Sequence, residues 1–237
     1  MSTPNITRWI GAGLLGLPIY GVLTFWTSLH PQPDPNTHYE AWARFVTTND
    51  YVLEHLLGTS LGTILAILGV VALGTYLARS RAGRMGLVAM VITVVGQGLF
   101  LTWVGTSTFS APAEGQVYLA GMEEFAQRSP TFADSAQGVT ILVAILLNFV
   151  GNLLLGVAVW RSGRLPRWAG VLWVAAVVML YPLGLMYAMI SGVQSTPRTV
   201  LVGALLIAIS GAWMAWNVLR RPSFAEAVGV GAQARVQ

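Results

Sequence analysis

The sequence predicts an all-α polytopic membrane protein with six transmembrane helices and short amphipathic helices in its two long outer loops. Three observations carry that reading. Charged residues make up 9% of the 237 and hydrophobic ones 55%, where a soluble domain carries about a quarter charged residues. Six continuous stretches each supply the roughly 20 apolar residues that cross ~30 Å of hydrocarbon. The arginines sort to one side of those stretches. A transmembrane β-barrel would instead show alternating segments of about 10 residues.

The expected spans are Trp9–Leu29, Leu53–Ala78, Met85–Ser107, Gly138–Trp160, Trp168–Ile190 and Thr199–Leu219. They form one domain over residues 1–219, followed by a loosely ordered tail over 220–237. The first span follows Arg8 as a signal peptide would. Its apolar run is too long, and no small-residue cleavage site follows, so an uncleaved helix is expected. The chain has no Cys, which removes disulfides, thiolate metal sites and cysteine nucleophiles.

An isoelectric point of about 9.9 suggests nucleic acid, but the charge positions argue against it. Ten arginines and one acid fall before the first span, in the two short loops and after the last span. Three arginines and eight acids fall on the other side. The nets are +9 and −5, which together give the +4 of the chain. Short basic loops stay in the cytoplasm, so both termini are expected there. The basic face then meets anionic lipid headgroups. Trp9, Trp26, Trp103, Trp160, Trp168 and Trp216 fall near span borders, as indole rings favour the interface.

Two short loops make spans two and three, and four and five, antiparallel neighbours. Leu73-Gly74, Arg79-Ser80 and Gly86 echo Leu155-Gly156, Arg161-Ser162 and Gly170, which suggests a parallel repeat. In the long loop over 30–52, Tyr39, Trp42, Phe45 and Val46 share one helical face. In the loop over 108–137, Tyr118, Met122 and Phe125 do the same. Both are expected to form interfacial helices. Pro18 and Pro182 should kink their helices.

Two motif matches lack their structural context. Gly11-Ala12-Gly13-Leu14-Leu15-Gly16 fits a dinucleotide fingerprint, but no strand precedes it. Gly58-Thr59-Ser60-Leu61-Gly62 fits a nucleophile elbow, but no strand-to-helix turn exposes Ser60. Close packing through small residues explains both.

Two groups of residues are candidate sites. His38, Glu40, Glu54, His55, Glu123 and Glu124 offer carboxylates and imidazoles at the outer side, a donor set suited to a divalent metal. No paired-His spacing exists, so the ligands would have to converge from separate segments. Otherwise these residues form a solvated acidic face. Asn148 and Asn152 share a face of the fourth span, with Gln97 at matching depth. With Tyr181 and Tyr187 they are candidates to line a ligand cavity. The alternative is interhelical hydrogen bonding. No Asp, Glu or Arg is expected deep in a span, which weighs against proton-coupled transport.

The inner loop Arg161-Ser162-Gly163-Arg164-Leu165-Pro166-Arg167-Trp168-Ala169-Gly170 resembles a loop of uncharacterised six-helix bacterial membrane proteins. That resemblance covers about a quarter of the chain and implies no activity. Arg-only basic usage fits a bacterial inner-membrane protein. The functional expectation is a structural or accessory subunit, or a binder of lipid or a small apolar molecule, without catalysis. One alternative is a transporter with its path at Asn148 and Asn152, hinged at Pro18 and Pro182. Another is a metal-dependent enzyme acting on lipid at the outer face. Membrane lipid is the expected partner, nucleic acid is not, and a homo-oligomer or other membrane subunits fit the small-residue faces.

Overall fold

A computed structural model of the chain describes residues 6–30, 32–126, 132–191 and 197–220. Among the described residues the secondary structure is helical, with no strand. Six helices are long and apolar enough to cross a membrane: Arg8–Thr27, Asn49–Leu77, Gly83–Leu119, Asp134–Arg161, Arg167–Ile190 and Arg198–Leu219. They agree with the expected spans, apart from early starts to the second and fourth and a late end to the third. The expected tail from 221 onward lies outside the described residues.

The six spans touch in chain order, and the sixth closes on the first. The result is a ring of antiparallel helices. Glycines line every seam, and at all but the one between the second and third spans, where Gly74 and Gly86 meet side chains, they let neighbouring backbones come close. A methyl on Gly151 would lie 2.7 Å from the Thr93 amide nitrogen, and one on Gly170 would lie 2.6 Å from the Gly156 carbonyl. Gly16 of the first span meets the Leu65 carbonyl of the second. Helices in lipid associate by close packing, because hydrophobic burial gives them little drive. The glycine-rich run Gly11–Gly16 is therefore a packing face.

The Arg-bearing half of the ring is filled. Leu14, Leu17, Leu73, Leu77, Leu155, Trp173, Met214 and Val218 are buried there in one cluster. The two short loops at this end close with the same device. The Ser80 hydroxyl oxygen accepts from the Ala82 amide, and the Ser162 oxygen accepts from the Arg164 amide, each at 3.1 Å. The same Arg-Ser step thus caps both turns. Arg220 lies over the Trp216 ring at 3.9 Å, a cation–π contact at the last turn of the sixth span.

Three helices are irregular. The first breaks at Leu15, between Ile6–Leu14 and Gly16–Thr27. Pro18 lacks the N–H that would bond the Leu14 carbonyl, and its ring crowds that carbonyl. The fifth widens into a π-helical segment over Tyr181–Met186, which contains Pro182. The Thr199 hydroxyl of the sixth span donates to the Leu183 carbonyl there at 2.8 Å. A neighbour's hydroxyl thus satisfies backbone exposed by the irregularity. The second span carries another π segment over Glu54–Leu61.

The two long loops only half match expectation. Tyr39–Val46 is helical, with Trp42, Ala43 and Val46 buried. Its apolar face packs on protein, against Tyr118 and Ala111. The second interfacial helix is not separate. The third span runs on unbroken for 37 residues to Leu119, about 55 Å at 1.5 Å per residue. That exceeds the ~30 Å hydrocarbon core, so Tyr118 sits on a projecting stalk. Chain reversal waits for Gly121 at φ +84°, a left-handed conformation that glycine adopts without strain. A short helix over Glu123–Ala126 follows. Of the expected face only Tyr118 belongs to the stalk, which receives the Tyr39–Val46 helix, while Met122 and Phe125 lie beyond the turn at Gly121.

Candidate functional site: a cup in the acidic half

Opposite the filled half, the ring encloses a cavity of about 430 Å³, within the range of small-molecule sites. All six spans line it, each through the half nearer the long loops. Filled below and lined above, the bundle is a cup. Both π segments border the cavity through residues such as Glu54, His55, Tyr181 and Leu185. π-helical turns concentrate at functional sites.

The lining grades from rim to floor. At the rim the His30 Nδ1 lies 2.8 Å from the Glu54 carboxylate, with side chains 58% and 15% exposed. The second span begins at Asn49 because Thr48 caps it, its hydroxyl accepting from the Tyr51 amide at 3.2 Å. That early start carries Glu54 and His55 into the wall. The His55 ring stacks on Tyr51 at 4.0 Å between centroids, and its Nδ1 is 3.0 Å from the Tyr51 carbonyl. A carbonyl only accepts, so Nδ1 carries the proton and the neutral ring keeps a lone pair on Nε2. Tyr51 in turn donates its hydroxyl to the Ser107 carbonyl at 3.1 Å, joining the second and third spans.

Aromatic rings form the middle: Tyr20, Phe100, Trp103 and Tyr181 all line the cavity. Phe100 and Trp103 are 5.6 Å apart and tilted. Gln97 and Asn148 lie at the floor, 5% and 2% exposed. Gly96 lets the third and fourth spans approach closely at this level, since a methyl there would be 2.8 Å from the Asn148 backbone nitrogen. The Asn148 side-chain nitrogen donates to the Ala144 carbonyl at 2.9 Å, which fixes its orientation. The Gln97 Oε1 and the Asn148 Oδ1 are buried with no hydrogen-bond partner among the described residues.

Of the residues expected at a ligand site, Gln97, Asn148 and Tyr181 line the cavity. Asn152 lies outside the lining. It is buried one turn further toward the filled half, and its amide donates to the Asn148 carbonyl at 2.9 Å. Both asparagines therefore bond back to their own helix, not across to another. Tyr187 also lies outside the lining, at 59% exposure, because the widened fifth span turns Ala188 and Met189 inward instead.

The outer donors are dispersed. Glu54 and His55 line the cavity. Glu40 bonds Arg44 at 2.8 Å on the exposed side of its helix, and His38 meets the Thr37 hydroxyl at 2.8 Å. Glu123 and Glu124 are exposed beyond the stalk. Among the described residues no group of three or more His, Cys, Asp or Glu stands close enough to hold a metal ion.

Sequence reasoning missed His30, Tyr20, Phe100, Trp103 and Thr63. A usable signal was present. Gln97, Phe100, Trp103 and Ser107 fall on one face at helical spacing, as do Tyr20, Thr24, Thr27 and Ser28. A polar and aromatic stripe along a spanning helix marks the face turned from lipid. Trp103, expected at the membrane border, instead faces inward. No family model, curated protein or solved structure matches the chain. Geometry therefore has to carry the functional argument.

Proposed function

We propose that the protein is a non-catalytic membrane receptor that holds a small amphipathic molecule in the cup. One observation carries this reading: a cavity built by all six spans, graded from a carboxylate rim through aromatic walls to an amide floor. Apolar walls with a few placed polar groups characterise ligand sites. The positive-inside rule orients the filled, Arg-bearing half to the cytoplasm. The cup then faces outward from a bacterial inner membrane, with both termini inside. Accessory-subunit function fits the same reading, the ligand being what the subunit presents to its partners.

Transport is a second reading, favoured by the placement of the helix irregularities. Both π segments border the cavity, and the Leu15 break lies just below it. Asn152 would be the next polar step along such a path.

Native mass spectrometry of gently extracted protein tests occupancy. The wild type is expected to carry a small-molecule adduct. Ala188→Trp, which fills the cavity from the fifth span, is expected to lose it while remaining folded. An adduct retained equally by both proteins would move the ligand elsewhere.

A further inference from the structure

We infer that the ligand is an amphipathic organic cation bearing N–H donors, an ammonium or guanidinium head on an apolar body. This rests on reading the cup as a binding site, and it follows from which hydrogen-bonding groups the cup still offers.

The fixed charge in the lining has one sign. Among the described residues lining the cavity, Glu54 is the one carboxylate, and no arginine joins it. His30 occupies only one of its two oxygens, and does so from the exposed rim. An incoming cation can take the other oxygen or displace the imidazole. A charge-assisted hydrogen bond to a carboxylate is about twice as strong as a neutral one.

The neutral groups are also acceptors. Hydroxyls normally offer both a donor and lone pairs, but three of those in the lining have spent their donors on backbone carbonyls. Thr27 and Ser28 donate to the Thr24 carbonyl at 3.2 and 2.7 Å, and Thr63 donates to the Thr59 carbonyl at 2.7 Å. Each keeps only oxygen lone pairs for the cavity. His55 has its Nδ1 proton on Tyr51, which leaves Nε2 as an acceptor. At the floor the Gln97 and Asn148 amide oxygens are buried and have no hydrogen-bond partner among the described residues, so a ligand reaches them only with a small shift of those side chains. Six neutral acceptor groups beside one carboxylate suit a ligand rich in N–H. An anion would meet the Glu54 carboxylate with no arginine beside it.

The walls accept a cation as well. Phe100, Trp103 and Tyr181 present ring faces and edges around a 430 Å³ space. Aromatic faces attract cations through their quadrupoles and pack the apolar body of the same molecule.

Three matched probes separate the head-group chemistry from simple apolar fit: 4-phenylbutylamine, 4-phenylbutanol and 4-phenylbutyrate. Each is titrated calorimetrically into the full chain in lipid nanodiscs, with protein-free discs as blanks. The amine is expected to bind at least about tenfold tighter than the alcohol, and the acid weakest. Glu54→Gln is expected to collapse the amine-to-alcohol ratio to about one while leaving alcohol binding in place. His30→Ala frees the carboxylate and is expected to hold or tighten amine binding. Alcohol or acid binding as tight as the amine would overturn the inference, as would a preference that survives Glu54→Gln or amine binding lost in His30→Ala. Those outcomes leave the cup standing as a binding site. Failure of all three probes to bind the wild type would overturn both.

Discussion

Gly21→Ala is expected to cost about 2 kcal/mol of stability, a fall of roughly 4–8 °C in unfolding temperature. The added methyl would meet backbone, not a movable side chain: the Ala208 amide at 2.6 Å and the Ala204 carbonyl at 2.7 Å. The sixth span would have to shift as a unit, and that seam closes the ring. Gly98→Ala is the control, because nothing lies within 4 Å of its added methyl. Relief of the helix cost of glycine should make it neutral, or stabilising by up to about 1 kcal/mol. Thermal unfolding of the two purified variants checks this. Equal shifts would mean that the seams are not closed by close backbone approach.

Asn148→Leu is expected to move stability and binding in opposite directions. The wild-type side chain is 2% exposed, and its Oδ1 has no hydrogen-bond partner among the described residues. Such an acceptor costs about 1–3 kcal/mol when unmade, while an apolar replacement of similar shape removes that cost. The variant should gain about 1 kcal/mol in stability, and ligand affinity should fall about tenfold, since that factor equals 1.4 kcal/mol. Strained or unsatisfied groups kept at binding sites commonly show this exchange. Thermal unfolding and titration on the same preparation check it. A loss of stability would mean that the amide is a structural brace.

The architecture was largely legible in the sequence because a bilayer demands long apolar runs, and six of them stood out. The Pro18 and Pro182 irregularities were legible too, since proline removes a backbone donor wherever it falls. The third span was not. Its stalk beyond Ser107 contains Pro112, Glu114 and Gln116, which read as loop. Packing of the Tyr39–Val46 helix against Ala111, with Gly115 giving room to Ala43 and Val46, supports a helix that composition alone does not.

The site was legible in fragments. Gln97 and Asn148 stood out as amides inside apolar runs, and Glu54 and His55 as polar groups at a span border. Their union in one cavity depends on ring closure, in which the first span brings His30 to Glu54. No local pattern encodes that pairing. The π segments were equally hidden, since the turn over Glu54–Leu61 contains no proline to announce it.

The central claim is that the bundle is a cup, open at the acidic end and sealed at the basic end. The chain has no Cys, so a single introduced cysteine is a unique reporter. Thr63→Cys lies in the cavity wall and Ala72→Cys lies in the packed half. A membrane-impermeant thiol reagent applied to sided vesicles should label Thr63→Cys from the acidic side alone and leave Ala72→Cys unlabelled from either side. Labelling of Thr63→Cys from the Arg-bearing side would contradict the sealed cup and favour a path through the bundle.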